Sequence, residues 1–233
     1  MSSHPYSAHV LPGARPGERM PAPRAGGALR IAAACVLALA LVWVVAELMP
    51  AGQVRDALLL RHVTLLSGPH VDEAARILLH LLSAPLMVIW GLALVAFAIA
   101  RGRPREGLAV AFVLVLAPLG ADTLKPLLAH PHVAAGGVRI GAASWPSGHS
   151  AAALALALCA VLVSSPRARP LVAALGLLFS AAVGFALLVQ AWHMPSDVIG
   201  GYLFAGLCMA LAVAGLRAVE RRWPQHAGSQ RAP

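Results

Sequence analysis

Charged residues make up only 12% of this 233-residue chain, and acidic ones are the scarcer kind: nine Asp and Glu stand against 18 Lys and Arg. Soluble domains carry roughly 25% charged residues, so the deficit argues against an ordinary water-soluble globule. Aromatics are few as well, at 5%, which leaves Ala, Leu and Val to supply most of the 59% hydrophobic content. Cysteine is nearly absent. Cys35, Cys159 and Cys208 each stand alone inside an apolar run, without a partner at metal-ligand spacing, and read as small core residues rather than disulfides or ligands. The chain also lacks a Gly-rich phosphate loop, a CxxC pair and an HExxH segment, the local patterns of nucleotide, dithiol and zinc chemistry.

Long apolar runs are what the chain has in quantity. Mean hydropathy is +0.77. About 20 mostly apolar residues cross the ~30 Å of hydrocarbon in a bilayer. By that rule six spans are expected, at about Leu29–Met49, Ala74–Ala100, Gly107–Leu128, Ser147–Val163, Leu171–Gln190 and Pro195–Leu216. The first is longer than a signal-peptide core and has no small-x-small cleavage site before Glu47, so it reads as a span. The stretch Val54–Leu66 has the pattern of a short amphipathic helix lying at the interface. Breakers such as Gly68-Pro69, Gly102-Arg103-Pro104 and Pro166 to Pro170 fall between spans. Residues 1–28 and 218–233 read as a basic disordered tail and a cytoplasmic tail, flanking one membrane domain over 29–217.

The net charge of +9 would suggest nucleic acid on a soluble protein. Here the basic residues sit between apolar runs, where membrane topology accounts for them and nucleic acid is not an expected partner. With alternating spans, Arg55, Arg61, Arg76, Lys125 and Arg139 fall on one side and the other 13 of the 18 basic residues on the other. The positive-inside rule then places both termini in the cytoplasm. The fold expected is therefore all-α, a six-transmembrane-helix bundle in the cell's inner membrane.

This topology gathers three polar clusters on the outer face. Lys125 to His132 (KPLLAHPH) ends the third span, Trp145 to Ser150 (WPSGHS) opens the fourth, and Trp192 to Asp197 (WHMPSD) opens the sixth. At Ser147-Gly148-His149, a helix N-terminus offers free N–H groups and partial positive charge, Gly allows close approach, and Ser adds a hydroxyl: a phosphate-binding arrangement. A plainer role also fits, with Ser147 only capping the span. His193 and Asp197 are spaced i, i+4, so Asp197 can orient one imidazole nitrogen and leave the other bare as nucleophile or base. An Asp that merely favours the first helical turn fits equally. Lys125 next to an apolar span must snorkel, pair or bind something. Asp122, three residues earlier, is one available partner.

With these motifs in order, the sequence resembles the type 2 phosphatidic acid phosphatase family, which shares a fold core with bacterial acid phosphatases and vanadium haloperoxidases. The family carries a Lys motif ending in Arg-Pro, then Pro-Ser-Gly-His, then Ser-Arg-x5-His-x3-Asp. Here Pro146-Ser147-Gly148-His149 is complete, His193 and Asp197 supply His-x3-Asp, and Lys125 fits the first motif. The resemblance covers about Gly107 to Leu216. It implies a lipid phosphate substrate, no metal and no cofactor. It also implies a phosphohistidine on His193, oriented by Asp197, with His149 as general acid and then base. Lys125, Ser147 and Gly148 would hold the phosphoryl oxygens. Two arginines of the pattern are replaced. His130 or His132 stands for the first, and Ala186-Leu187 stands where the family has Ser-Arg; Arg139 in the same outer loop is a candidate substitute. Two other functions are compatible with the same residues: transfer of the phosphoryl group to an alcohol, and non-catalytic lipid binding. Which lipid phosphate is taken, and the oligomeric state, are not legible in the sequence.

Overall fold

The computed structural model describes residues 25–131 and 140–223. The tails beyond these limits, and His132 and Arg139 in the outer loop, lie outside the described residues. What is described is helical: α1 (Ala25–Trp43, continued by a π-helical turn Val44–Leu48), α2 (Pro50–Thr64), α3 (Pro69–His80), α4 (Ala84–Ala100), α5 (Pro104–Leu124), α6 (Gly148–Val163), α7 (Arg169–Val189) and α8 (Pro195–Arg222). Proline opens most of them, at a position where its missing N–H costs nothing and its fixed φ suits a first turn.

Among the described residues, four helices are long and apolar enough to cross a membrane: 26–48, 104–124, 169–189 and 195–222. A fifth candidate is the pair α3 and α4, which meet at a 54° bend. The span expected over about Ala74–Ala100 falls on this pair and is broken between His80 and Ala84. Pro85 fits the break: it has no N–H to bond back to the Leu81 carbonyl and its ring would crowd that carbonyl, and Ser83, just before α4, is extended with φ −60° and ψ 148°. α6 is apolar but only 16 residues long, about 24 Å at 1.5 Å per residue. α1 begins at Ala25 and α8 runs to Arg222, so both outlast the spans expected from hydropathy.

α8 is the axis of the molecule and packs on α1, α5 and α6. The central seam is built of small residues at helical spacing: Ala151, Ala155 and Cys159 on α6 face Ala205, Cys208 and Ala212 on α8, with Val110 and Val113 of α5 closing the third side. Small side chains allow the close backbone approach on which van der Waals packing in lipid depends. The approach is tightest at Gly201, where a Cβ would lie 2.1 Å from Ser150 Oγ and 2.3 Å from the Ser147 carbonyl. Large apolar residues such as Leu37, Leu41, Leu92 and Leu177 point outward, as on a lipid-facing surface.

α2 and α3 sit at one end of the bundle. α2 buries Ala57 and Leu60 against Met194 and Leu188, and so covers the start of α8. α3 packs Ala75 and Leu79 on Val183, Ala186 and Leu187 of α7. At the opposite end Arg103 donates to the Val163 carbonyl at 3.1 Å and the Leu162 carbonyl at 3.4 Å, satisfying the open C-terminus of α6.

Candidate active site

The ends of α5 and α7 and the starts of α6 and α8 meet at the end covered by α2. Ser147 caps α6: its hydroxyl accepts from Ser150 N at 3.4 Å, and Ser150 Oγ donates back to the Ser147 carbonyl at 3.1 Å. Ser147 N donates to the Asp197 carbonyl at 2.9 Å, which ties the α6 N-terminus to the first turn of α8. Gly200 is needed beside it, since a Cβ there would meet the Trp145 indole at 2.6 Å.

The segment before α8 is set by the way α7 ends. Ala191 takes a left-handed conformation, φ 51°. Its amide bonds to the Leu188 carbonyl and the Trp192 amide to the Leu187 carbonyl, both at 3.0 Å. Glycine is the usual residue there, so an alanine holds some strain next to the site. The turn delivers His193 into a nearly closed position. Its Nδ1 lies 3.2 Å from Asp197 Oδ2, which also accepts from Met194 N at 2.8 Å. Asp197 is wholly buried and His193 nearly so. With Nδ1 engaged, Nε2 is the ring nitrogen left for chemistry.

His149, in the first turn of α6, stacks edge-on against Trp192 with centroids 5.9 Å apart. The charges of His193, Lys125 and Asp122 all act on its ring, so the two imidazoles and the lysine share one locale. Lys125 is paired with Asp122 at 2.7 Å, and the Asp122 carboxylate in turn lies against Gly148, where a Cβ would meet Oδ1 at 2.7 Å. A cleft of about 500 Å³ opens between α4, α5 and α6. Asp122, Lys125, Gly148 and His149 form its polar part, and Met87 and Leu119 are among its apolar walls. His130 lies elsewhere in its contacts: its Nδ1 is 3.5 Å from Gln53 Nε2 and 3.1 Å from the Pro131 carbonyl.

Two groups escape sequence reasoning. Asp56 of α2 accepts from Ser196 N at 3.1 Å and from Ser196 Oγ at 2.5 Å, anchoring the α8 N-terminus across 140 residues of chain. Glu47 is buried at the end of the first span, within electrostatic reach of Asp197 and Asp56. Asp122, a candidate partner of Lys125 from the sequence, also lies against Gly148 at the α6 N-terminus. Only the Gly200-Gly201 pair, conspicuous inside a span, offers a local signal for the close approach behind the site.

The sequence profile of the PAP2 superfamily matches residues 86–221, more than half of the chain and all of the motifs above. The chain belongs to the PAP2 superfamily. Its fold is similar to a crystal structure described as the first transmembrane PAP2 type phosphatidylglycerolphosphate phosphatase from Bacillus subtilis. The TM-score is 0.65 and the identity 21%, over 82% of this chain and 98% of that one. No curated protein matches the chain in sequence. Leu187, six residues before His193, is fully buried in the apolar cluster with Val183 and Val198.

Proposed function

We propose that this PAP2 protein is an integral-membrane lipid phosphate phosphatase working through a phosphohistidine on His193. The observation that carries the proposal is the buried His193–Asp197 pair, joined to the α6 N-terminus with His149 at its first turn. His193 Nε2 attacks phosphorus, and the P–O bond to the lipid breaks. The leaving alkoxide takes a proton from His149. Water then attacks the phosphohistidine, His149 takes the water's proton, the P–N bond breaks and inorganic phosphate leaves. Asp197 orients the His193 ring and stabilises its positive charge. Ser147, the Gly148 amide and Lys125 face the oxygens on which negative charge develops, and His130 and Arg139 are further candidates for that role from the sequence. No metal takes part.

The cleft between α4, α5 and α6 suits a lipid: apolar walls for a chain and a polar end for the phosphate. In the topology we propose, α6 completes six spans, both termini are cytoplasmic, and the site faces outward from the inner membrane. Purified protein in micelles with chelator present should release phosphate from lipid phosphates or diphosphates. His193→Ala should lower the rate by more than about 10²-fold. Equal silence of both proteins across a broad lipid panel would reject the proposal, and labelled phosphate found on an alcohol instead of free would convert it to phosphotransfer. Buried Leu187 favours a second reading, a weakly catalytic or lipid-binding member. On that reading Leu187→Arg with His130→Arg yields no gain in activity.

A further inference from the structure

A second cleft, of about 410 Å³, runs between α5 and α8 at the end far from His193. Its walls are apolar over two turns of each helix: Leu108 and Phe112 on α5 face Leu211, Gly215 and Val219 on α8. Gly215 forms an open floor, because a Cβ there meets nothing within 4 Å. Leu108 and Phe112 stay largely exposed although they line a concavity, so no described side chain of the protein fills it.

Charge is confined to one end. Arg105, in the first turn of α5, closes the cleft and donates to the Trp223 carbonyl at 2.9 Å. Arg222 stacks over the Trp223 ring at 5.3 Å. Glu106, the acidic residue in that same first turn, is engaged by Arg103, and no carboxylate lines the cleft. A tryptophan flanked by two arginines at a span end is an interfacial arrangement, and basic pockets between spans take lipid head groups.

We propose that this cleft binds an anionic phospholipid, with one acyl chain lying over Gly215 and the phosphate between Arg105 and Arg222. The site is separate from the phosphatase centre. Arg105 and Lys125 lie at opposite ends of α5, about 30 Å apart at 1.5 Å per residue, so a lipid held here is a resident ligand and not the substrate.

The test is native mass spectrometry of the full chain, released from micelles holding equal phosphatidylglycerol and phosphatidylcholine. Wild type should retain phosphatidylglycerol in preference to phosphatidylcholine. Arg105→Gln and Arg222→Gln should each reduce that retention about fivefold. Gly215→Leu, whose Cβ meets nothing within 4 Å, should abolish it while leaving release of phosphate from lipid phosphates unchanged. A thermal-shift titration covers any variant that folds poorly: phosphatidylglycerol should raise the Tm of wild type and phosphatidylcholine should not. Equal retention of both lipids by wild type and variants overturns the proposal. So does a dimer that Gly215→Leu splits, since a second copy of the chain would then be the occupant.

Discussion

Asp197 holds the position on which the proposed chemistry turns, because one carboxylate oxygen serves both the His193 ring and the Met194 amide. Asp197→Asn keeps the shape but offers a neutral group, so the ring loses the charge that fixes its tautomer. The turnover rate is expected to fall about 10²- to 10⁴-fold with KM little changed, read from phosphate release at saturating lipid. Asp56 acts at one remove, as a positioning residue. It accepts from the backbone and hydroxyl of Ser196, as a capping side chain does, and loss of such a cap costs about 1 kcal/mol. Asp56→Ala should therefore lower thermal stability modestly and reduce kcat with KM held. Asp56→Asn, which keeps an acceptor oxygen, should recover most of the rate. A purely structural role for Asp56 would move stability alone.

The meeting of α6 with α8 fixes the geometry between His149 and His193, and Gly201 permits it. Gly201→Val would drive a branched side chain into Ser150 Oγ and the Ser147 carbonyl, costing about 1–3 kcal/mol of overpacking and separating the two motifs. Activity should fall with the melting temperature, whereas Gly215→Leu on the same helix should leave both intact. How much of this could be read in the sequence differs from helix to helix. The apolar runs gave α1, α5, α7 and α8 because hydropathy over some 20 residues is a strong and local signal. The bend between α3 and α4 was written in Pro85, but a continuous apolar run hides a proline when hydropathy alone is weighed. His193 and Asp197 were legible because i, i+4 spacing is a contact by itself. The grip of Asp56 on Ser196 joins residues 140 positions apart and leaves no trace in any local window. The Lys125–Asp122 pair was one of two readings of Lys125, and the structure forms it. Lys125 is therefore held beside the α6 N-terminus by a carboxylate, not aimed alone at a phosphate.

The whole molecule is polarised. One end carries the two imidazoles, the buried carboxylates and the covering helices α2 and α3. The other end carries most of the described arginines, with Arg55, Arg61 and Arg76 left on α2 and α3. Of the arginines at that other end, Arg103 and Arg105 already bond to the C-terminal ends of α6 and α8. The orientation we propose follows from that asymmetry. Ser67 and Arg167 are exposed in loops at opposite ends. In intact cells a membrane-impermeant maleimide should label Ser67→Cys and spare Arg167→Cys; the reverse pattern would turn the site to the cytoplasm. The central claim, however, concerns a bond between phosphorus and one nitrogen. Wild-type protein mixed with ³²P-labelled lipid phosphate and quenched in milliseconds should carry label that survives alkali, is lost in acid and maps to the peptide containing His193, while His193→Gln carries none. Phosphate release at the wild-type rate with no labelled protein at any quench time, or label undiminished in His193→Gln, would contradict the account.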